Sequence, residues 1–128
     1  MEDCIFCKIV RREIPSRIIW EDEDTLAFYD ISPAVRHHTL VIPKRHATDI
    51  FDISYEDLQK TMATVKKLSN LYKERLGVND VQILNCSGKA AQQSVFHIHF
   101  HILPRFEGDL TDQVFHRHPD YVEDYPEV

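Results

Sequence analysis

Histidines occupy alternate positions in His97-Ile98-His99-Phe100-His101, with an apolar residue in each gap. Strict alternation is the pattern of a half-buried β-strand, whose successive side chains point to opposite faces. The spacing therefore predicts a face of imidazoles backed by a face of Ile98, Phe100 and Ile102. At a rise of about 3.3 Å per residue, neighbouring histidines lie roughly 6.6 Å apart and the outer two roughly 13 Å apart. Zinc–nitrogen bonds are only about 2.0–2.1 Å long, so three rings on one straight strand do not converge on one ion. Such a row suits an extended ligand, and imidazole attacks and carries protons near neutral pH. The alternative is a solvated strand face that is merely rich in histidine.

With 128 residues the chain fits one domain, large enough to bury about two-thirds of its unfolded surface. Its formal charge of -6 argues against a nucleic acid polymer as partner, which calls for a basic stripe. A local site for a mononucleotide stays open. The start Met1-Glu2-Asp3 has no basic, apolar leader pattern, and no run approaches about 18 apolar residues; the expectation is a cytoplasmic protein without a membrane partner. Three cysteines form no disulfide scaffold, but Cys4-Ile5-Phe6-Cys7 has a spacing that suggests metal or redox chemistry.

The pattern predicts a short helix over residues 4–11 capped by Asp3, and strands over 18–21, 25–30, 38–43 and 80–86 before the histidine strand. Between them, Leu58, Met62, Val65, Leu68, Tyr72 and Leu76 recur at helical spacing over 54–76, with acids early, bases late and Gly77 as the stop. Strand runs around one long helix suggest an α+β fold with a mostly antiparallel five-stranded sheet. Ahead of the histidines, the turn residues 88–94 offer backbone N–H groups and the Ser94 hydroxyl to an anion. Asn85 can orient a phosphate or a histidine, or simply end its strand. Read alone, Asp30 also ends a strand before Ser32-Pro33.

Several segments together resemble the histidine triad superfamily, in its Hint and bacterial-type Hit branch. They are Cys4-Ile5-Phe6-Cys7-Lys8-Ile9, Glu13-Ile14-Pro15, Phe28-Tyr29-Asp30-Ile31-Ser32-Pro33, His38-Thr39-Leu40-Val41-Ile42-Pro43-Lys44 and Gln93-Ser94-Val95-Phe96. The triad itself, His97 through Leu103, fits the alternating pattern at every position. The resemblance implies a HIT-like domain over 1–106, a tail over 107–128 that packs on the domain or a dimer partner, and a homodimer whose sheets join. It implies a hydrolase or transferase that cleaves purine nucleoside 5'-phosphoramidates at the α-phosphate through a nucleotidyl-histidine, with AMP as product. Dinucleoside polyphosphate hydrolysis and a nucleotide-binding regulatory module are the alternatives.

Carried onto this chain, the resemblance makes His99 the nucleophile, with His101 and His38 holding the phosphate and His97 supporting. Asp30 would accept from the ribose, Gln93, Ser94 and Asn85 would serve the phosphate site, and Ile5, Phe6, Ile9, Phe28, Tyr29 and Ile31 would form the base pocket. Bacterial-type members add a structural zinc, which here implies Cys4, Cys7, His46 and His97 as ligands. The chain departs from the family in having Gln92 where glycine is usual and Pro104-Arg105-Phe106 after the triad, with Arg105 facing either a leaving group or the tail. His37, His116 and His118 match no motif and are expected at the surface.

Overall fold

The computed structural model describes residues 3–109 together with Pro119. The chain runs α1 (Ile5–Val10), β1 (Ile18–Glu21), β2 (Thr25–Tyr29), β3 (Thr39–Pro43), α2 (Tyr55–Leu76), β4 (Asp80–Leu84), a 3-10 turn (Lys89–Ala91) and β5 (Phe100–Arg105). The five strands form one sheet in the order β1-β2-β3-β5-β4, with each neighbouring pair antiparallel. The fold class is thus the α+β arrangement that the sequence predicts. Apart from residues 107–109 and Pro119, the tail whose packing was expected falls outside the described residues, as do His116 and His118.

The two helices cover opposite faces of the sheet, and strand alternation sorts the core between them. Ala27, Val41, Ile98, Phe100 and Ile102 pack with Val65, Leu68 and Tyr72 of α2. Leu26, Phe28, Leu40 and Ile42 pack with Phe6 and Ile9 of α1. Every residue of β3 is buried, as expected of a strand covered on both faces. Among the described residues, no helix is long and apolar enough to cross a membrane.

α2 begins where the Asp57 N–H donates to the Ser54 hydroxyl (3.1 Å) and ends at Gly77, whose φ of 69° is left-handed. Its buried face differs from the apolar stripe. Met62 is 37 % exposed, whereas Thr61 and Thr64 are 0 % and 1 % exposed. Their hydroxyls are satisfied locally: Thr61 donates to the Asp57 carbonyl, and Thr64 lies 2.8 Å from the Thr25 hydroxyl. A threonine with both needs met buries like valine.

Other boundaries move as well, and β4 stops at Leu84, short of the expected 86. Cys4, not Asp3, caps α1, its sulfur accepting from the Cys7 N–H. β5 starts only at Phe100, which leaves His97 and His99 outside the ladder. There the Ile98 N–H donates instead to the Ala47 carbonyl (2.8 Å). The side chains still alternate, since Ile98, Phe100 and Ile102 enter the α2 core while Phe6 of α1 meets the rings of His97 and His99.

Leu68, fully buried between α2 and the sheet, sets a stability test. Leu68→Ala is expected to lower unfolding stability by about 2–5 kcal/mol, read as a lower urea midpoint with an unchanged denaturant slope.

Candidate active site

On the α1 side of the sheet lies a cavity of about 240 Å3. α1 contributes Ile5, Phe6 and Ile9, β2 and the following turn contribute Phe28, Tyr29, Asp30 and Ile31, and the far end holds Ser94, His99 and His101. Phe6 and Phe28 meet edge to face at 5.4 Å, giving an apolar floor with a polar end. Ile31 is 93 % exposed and Ile5 45 % exposed, so both belong to the rim. Leu40, Val95 and the Ile14-Pro15-Ser16 corner also line the cavity. All of these except Ser16 fall in the motif segments Glu13-Ile14-Pro15, His38-Thr39-Leu40 and Gln93-Ser94-Val95, although no cavity role is expected of them there.

Backbone partners fix the proton on each histidine, because an amide N–H can only donate and a carbonyl can only accept. His99 Nδ1 lies 2.9 Å from the His97 carbonyl, so it carries the proton and leaves a lone pair on Nε2. His97 Nε2 lies 2.8 Å from the Pro43 carbonyl, which leaves its Nδ1 lone pair free. His38 is the reverse case. Its Nδ1 accepts from the Ala34 N–H (3.0 Å), so Nε2–H donates to His101 Nδ1 at 2.8 Å, and His101 keeps its own proton on Nε2. Burial pushes the pKa values of His97 and His101 down to about 4. It lowers His99 and His38 too, although the Asp30 carboxylate opposes the shift. Near pH 7 the four rings are therefore neutral, and His99 presents an unprotonated nitrogen.

Asp30 caps the turn beyond β2, where one carboxylate oxygen accepts from the Ser32 N–H (2.8 Å) and the other lies 3.6 Å from His38 Nε2. Its own N–H donates to the His38 carbonyl, which closes the loop that carries both residues. His37, expected at the surface, is instead half-buried at a left-handed φ of 65°. Its Nδ1 is 3.0 Å from the Tyr29 hydroxyl and its ring packs near Tyr72.

The turn before the histidines is held by side-chain amides. Gln93 accepts from the Gly88 N–H and donates to the Thr48 and Val95 carbonyls. Asn85 donates to the His99 carbonyl and accepts from Ser87. The Gln93 amide is thus taken up in positioning the segment, Asn85 keeps a second N–H beyond its bond to His99, and Ser94 is exposed at the cavity wall. Gln92 sits at φ 71°, a left-handed position that glycine adopts without strain. Arg105 donates to Gln82 (2.7 Å).

Beside the cavity, Cys4, Cys7, His46 and His97 bring four ligand atoms within 4.8 Å of one another. Cys4 Sγ is 3.3 Å and Cys7 Sγ 3.5 Å from His97 Nδ1, and Cys7 Sγ is 3.5 Å from His46 Nδ1. A tetrahedral zinc with two sulfur and two nitrogen ligands needs separations of roughly 3.3–3.8 Å. The donor set fits in chemistry as well. Burial and the neighbouring Cys4 push the Cys7 thiol pKa up, a cost that a cation removes, and the Pro43 carbonyl orients His97 as second partners do for metal-bound imidazoles. Asp30, His38 and His101 form another cluster within 4.8 Å. There the proton on His38 Nε2 lies between the two rings, so His38 and His101 are joined directly by a hydrogen bond.

Comparison with known proteins agrees with this geometry. The family profile described as HIT domain matches residues 11–108. Protein hit of Bacillus subtilis is 41% identical over 120 residues, covering 93% of this chain and 83% of that protein. Adenosine 5'-monophosphoramidase hnt1 of Schizosaccharomyces pombe is 40% identical over 102 residues, covering 80% of this chain and 74% of that protein. A crystal structure described as a Zn-bound histidine triad family protein from Mycobacterium smegmatis superimposes with a TM-score of 0.82 at 41% identity, covering 95% of this chain and 87% of that one. The chain therefore belongs to the HIT family, the histidine triad proteins.

Proposed function

We propose that the chain is a nucleotide hydrolase that cleaves purine nucleoside 5'-phosphoramidates at the α-phosphate. The observation that carries this reading is the neutral His99, with its Nδ1 proton held by the His97 carbonyl, at the polar end of an apolar cavity that also contains Asp30 and His101. The name of the fission yeast relative supports the leaving group assigned.

In this reading the base lies among Phe6, Ile9 and Phe28, and the ribose hydroxyls donate to Asp30. His99 Nε2 attacks phosphorus, the P–N bond breaks as the leaving nitrogen takes the proton of His101 Nε2 and departs as the amine, and a nucleotidyl-histidine forms. Water then releases the nucleoside monophosphate, returning a proton to His101 as the P–Nε2 bond breaks. His101 Nε2–H donates to the phosphoryl group, held in place by His38. Dividing one displacement into two lowers each barrier, and positioned donors supply most of the remaining catalysis. A zinc ion on Cys4, Cys7, His46 and His97 would fasten α1 to the sheet and take no part in bond making. Unpaired cysteines suit a reducing compartment such as the cytoplasm. β4 is an edge strand with Val81 and Ile83 exposed, which supports joining of two sheets in a homodimer.

Three outcomes test the reading. Wild-type protein is expected to convert adenosine 5'-phosphoramidate to AMP, and His99→Ala to lose about a thousandfold or more in kcat/KM; equal turnover by the variant removes His99 as nucleophile. Elemental analysis of protein purified without chelator is expected to find about one zinc per chain, reduced in Cys4→Ser. The pKa of His101 falls from 6.5 to about 4 on folding, so the unfolded chain binds more protons between those values. Stability is therefore full above pH 6.5 and declines as pH falls toward 4. The melting temperature should be lower at pH 5.0 than at pH 7.5, with a smaller difference in His101→Asn.

A further inference from the structure

We infer that the metal site and the nucleotide cavity are thermodynamically linked through α1, with Phe6 as the positioning residue, so that filling either site tightens the other. The inference rests on the proposed reading of both sites and goes beyond it, because that reading gives the metal only a fastening role.

Four observations place the two sites on shared parts. Cys4 and Cys7 bracket Ile5 and Phe6, so the same short segment supplies two metal ligands and two cavity walls. The Phe6 ring stands edge-on to metal-ligating His97 at 5.9 Å and to His99 at 5.2 Å. The carbonyl of His97 accepts the His99 Nδ1 proton, so a shift of the ligand shifts the nucleophile. The Ile98 N–H donates to the Ala47 carbonyl, which ties the segment after His46 to the segment after His97.

The energetics follow from the size of α1. A helix of six residues is too short to hold itself in water, because its nucleus is costly and few bonds repay it. Its order comes from burying Phe6, Cys7 and Ile9, and a metal on Cys4 and Cys7 fixes the same residues. A nucleotide entering the metal-loaded protein then finds its wall already ordered, and affinity rises. Linkage is reciprocal, so bound nucleotide must hold the metal more tightly by the same factor.

The test uses the zinc-loaded protein and a chromophoric chelator at graded concentrations, read at equilibrium. The zinc dissociation constant is obtained with and without saturating AMP, whose binding is confirmed by calorimetry on the same sample. The constant is expected to fall about tenfold with AMP, within the usual range of coupling between sites. The chelator–zinc signal with AMP and no protein fixes the part due to AMP binding free zinc. In Phe6→Ala the tightening should fall below about twofold, and Phe6→Leu should restore most of it. An unchanged zinc dissociation constant with AMP bound overturns the linkage and leaves the nucleotide reading intact. Equal tightening in Phe6→Ala overturns the role of Phe6. Absence of AMP binding to zinc-loaded protein overturns the nucleotide reading and the linkage together.

Discussion

The bond from His97 Nε2–H to the Pro43 carbonyl, 2.8 Å long and fully buried, decides what the rest of the histidine row does. A buried imidazole without such a partner would cost on the order of 1–3 kcal/mol. With it, the His97 ring is fixed, its second nitrogen faces the two thiols, and its backbone carbonyl is placed to receive the His99 proton. Pro43 closes β3 and lacks an N–H of its own, yet its carbonyl links the sheet to both the cysteine cluster and the cavity.

The fold was largely legible because the core obeys simple periodicities. Alternation in 39–43 and 25–29 places Leu40, Ile42 and Phe28 on one face and Val41 and Ala27 on the other, as the two clusters show. What periodicity missed are residues whose burial depends on a hydrogen-bond partner distant in sequence. Thr64 is buried because Thr25 meets its hydroxyl, and no local pattern in α2 contains Thr25. His37 is drawn in by Tyr29 for the same reason. The start of β5 at Phe100 was hidden because side-chain alternation runs back through His99 and His97, while the hydrogen bonds that define the ladder do not.

The site was legible in composition and less so in the division of labour. Two clusters, Cys4-Cys7-His46-His97 and Asp30-His38-His101, gather comparable donor atoms at comparable spacing. Their chemistry separates only when the backbone group behind each ring is known. A carbonyl behind His97 leaves a lone pair in front, whereas an N–H behind His38 leaves a proton in front. Residue type and spacing carry no record of which backbone group stands there, and Asn85 and Gln93 were open to several readings for the same reason.

The cavity, about 240 Å3 with exposed Ile5 and Ile31 at its mouth, is smaller than the roughly 300–1,000 Å3 of ordinary small-molecule sites. A pocket of that size grips one end of a ligand and leaves the other in solvent. Shape can then discriminate only at the gripped end. On the proposed reading, nucleotides that share the gripped end and differ beyond it would compete for one place, and the strength of the bond to be broken, not the shape of the far end, would set which is turned over.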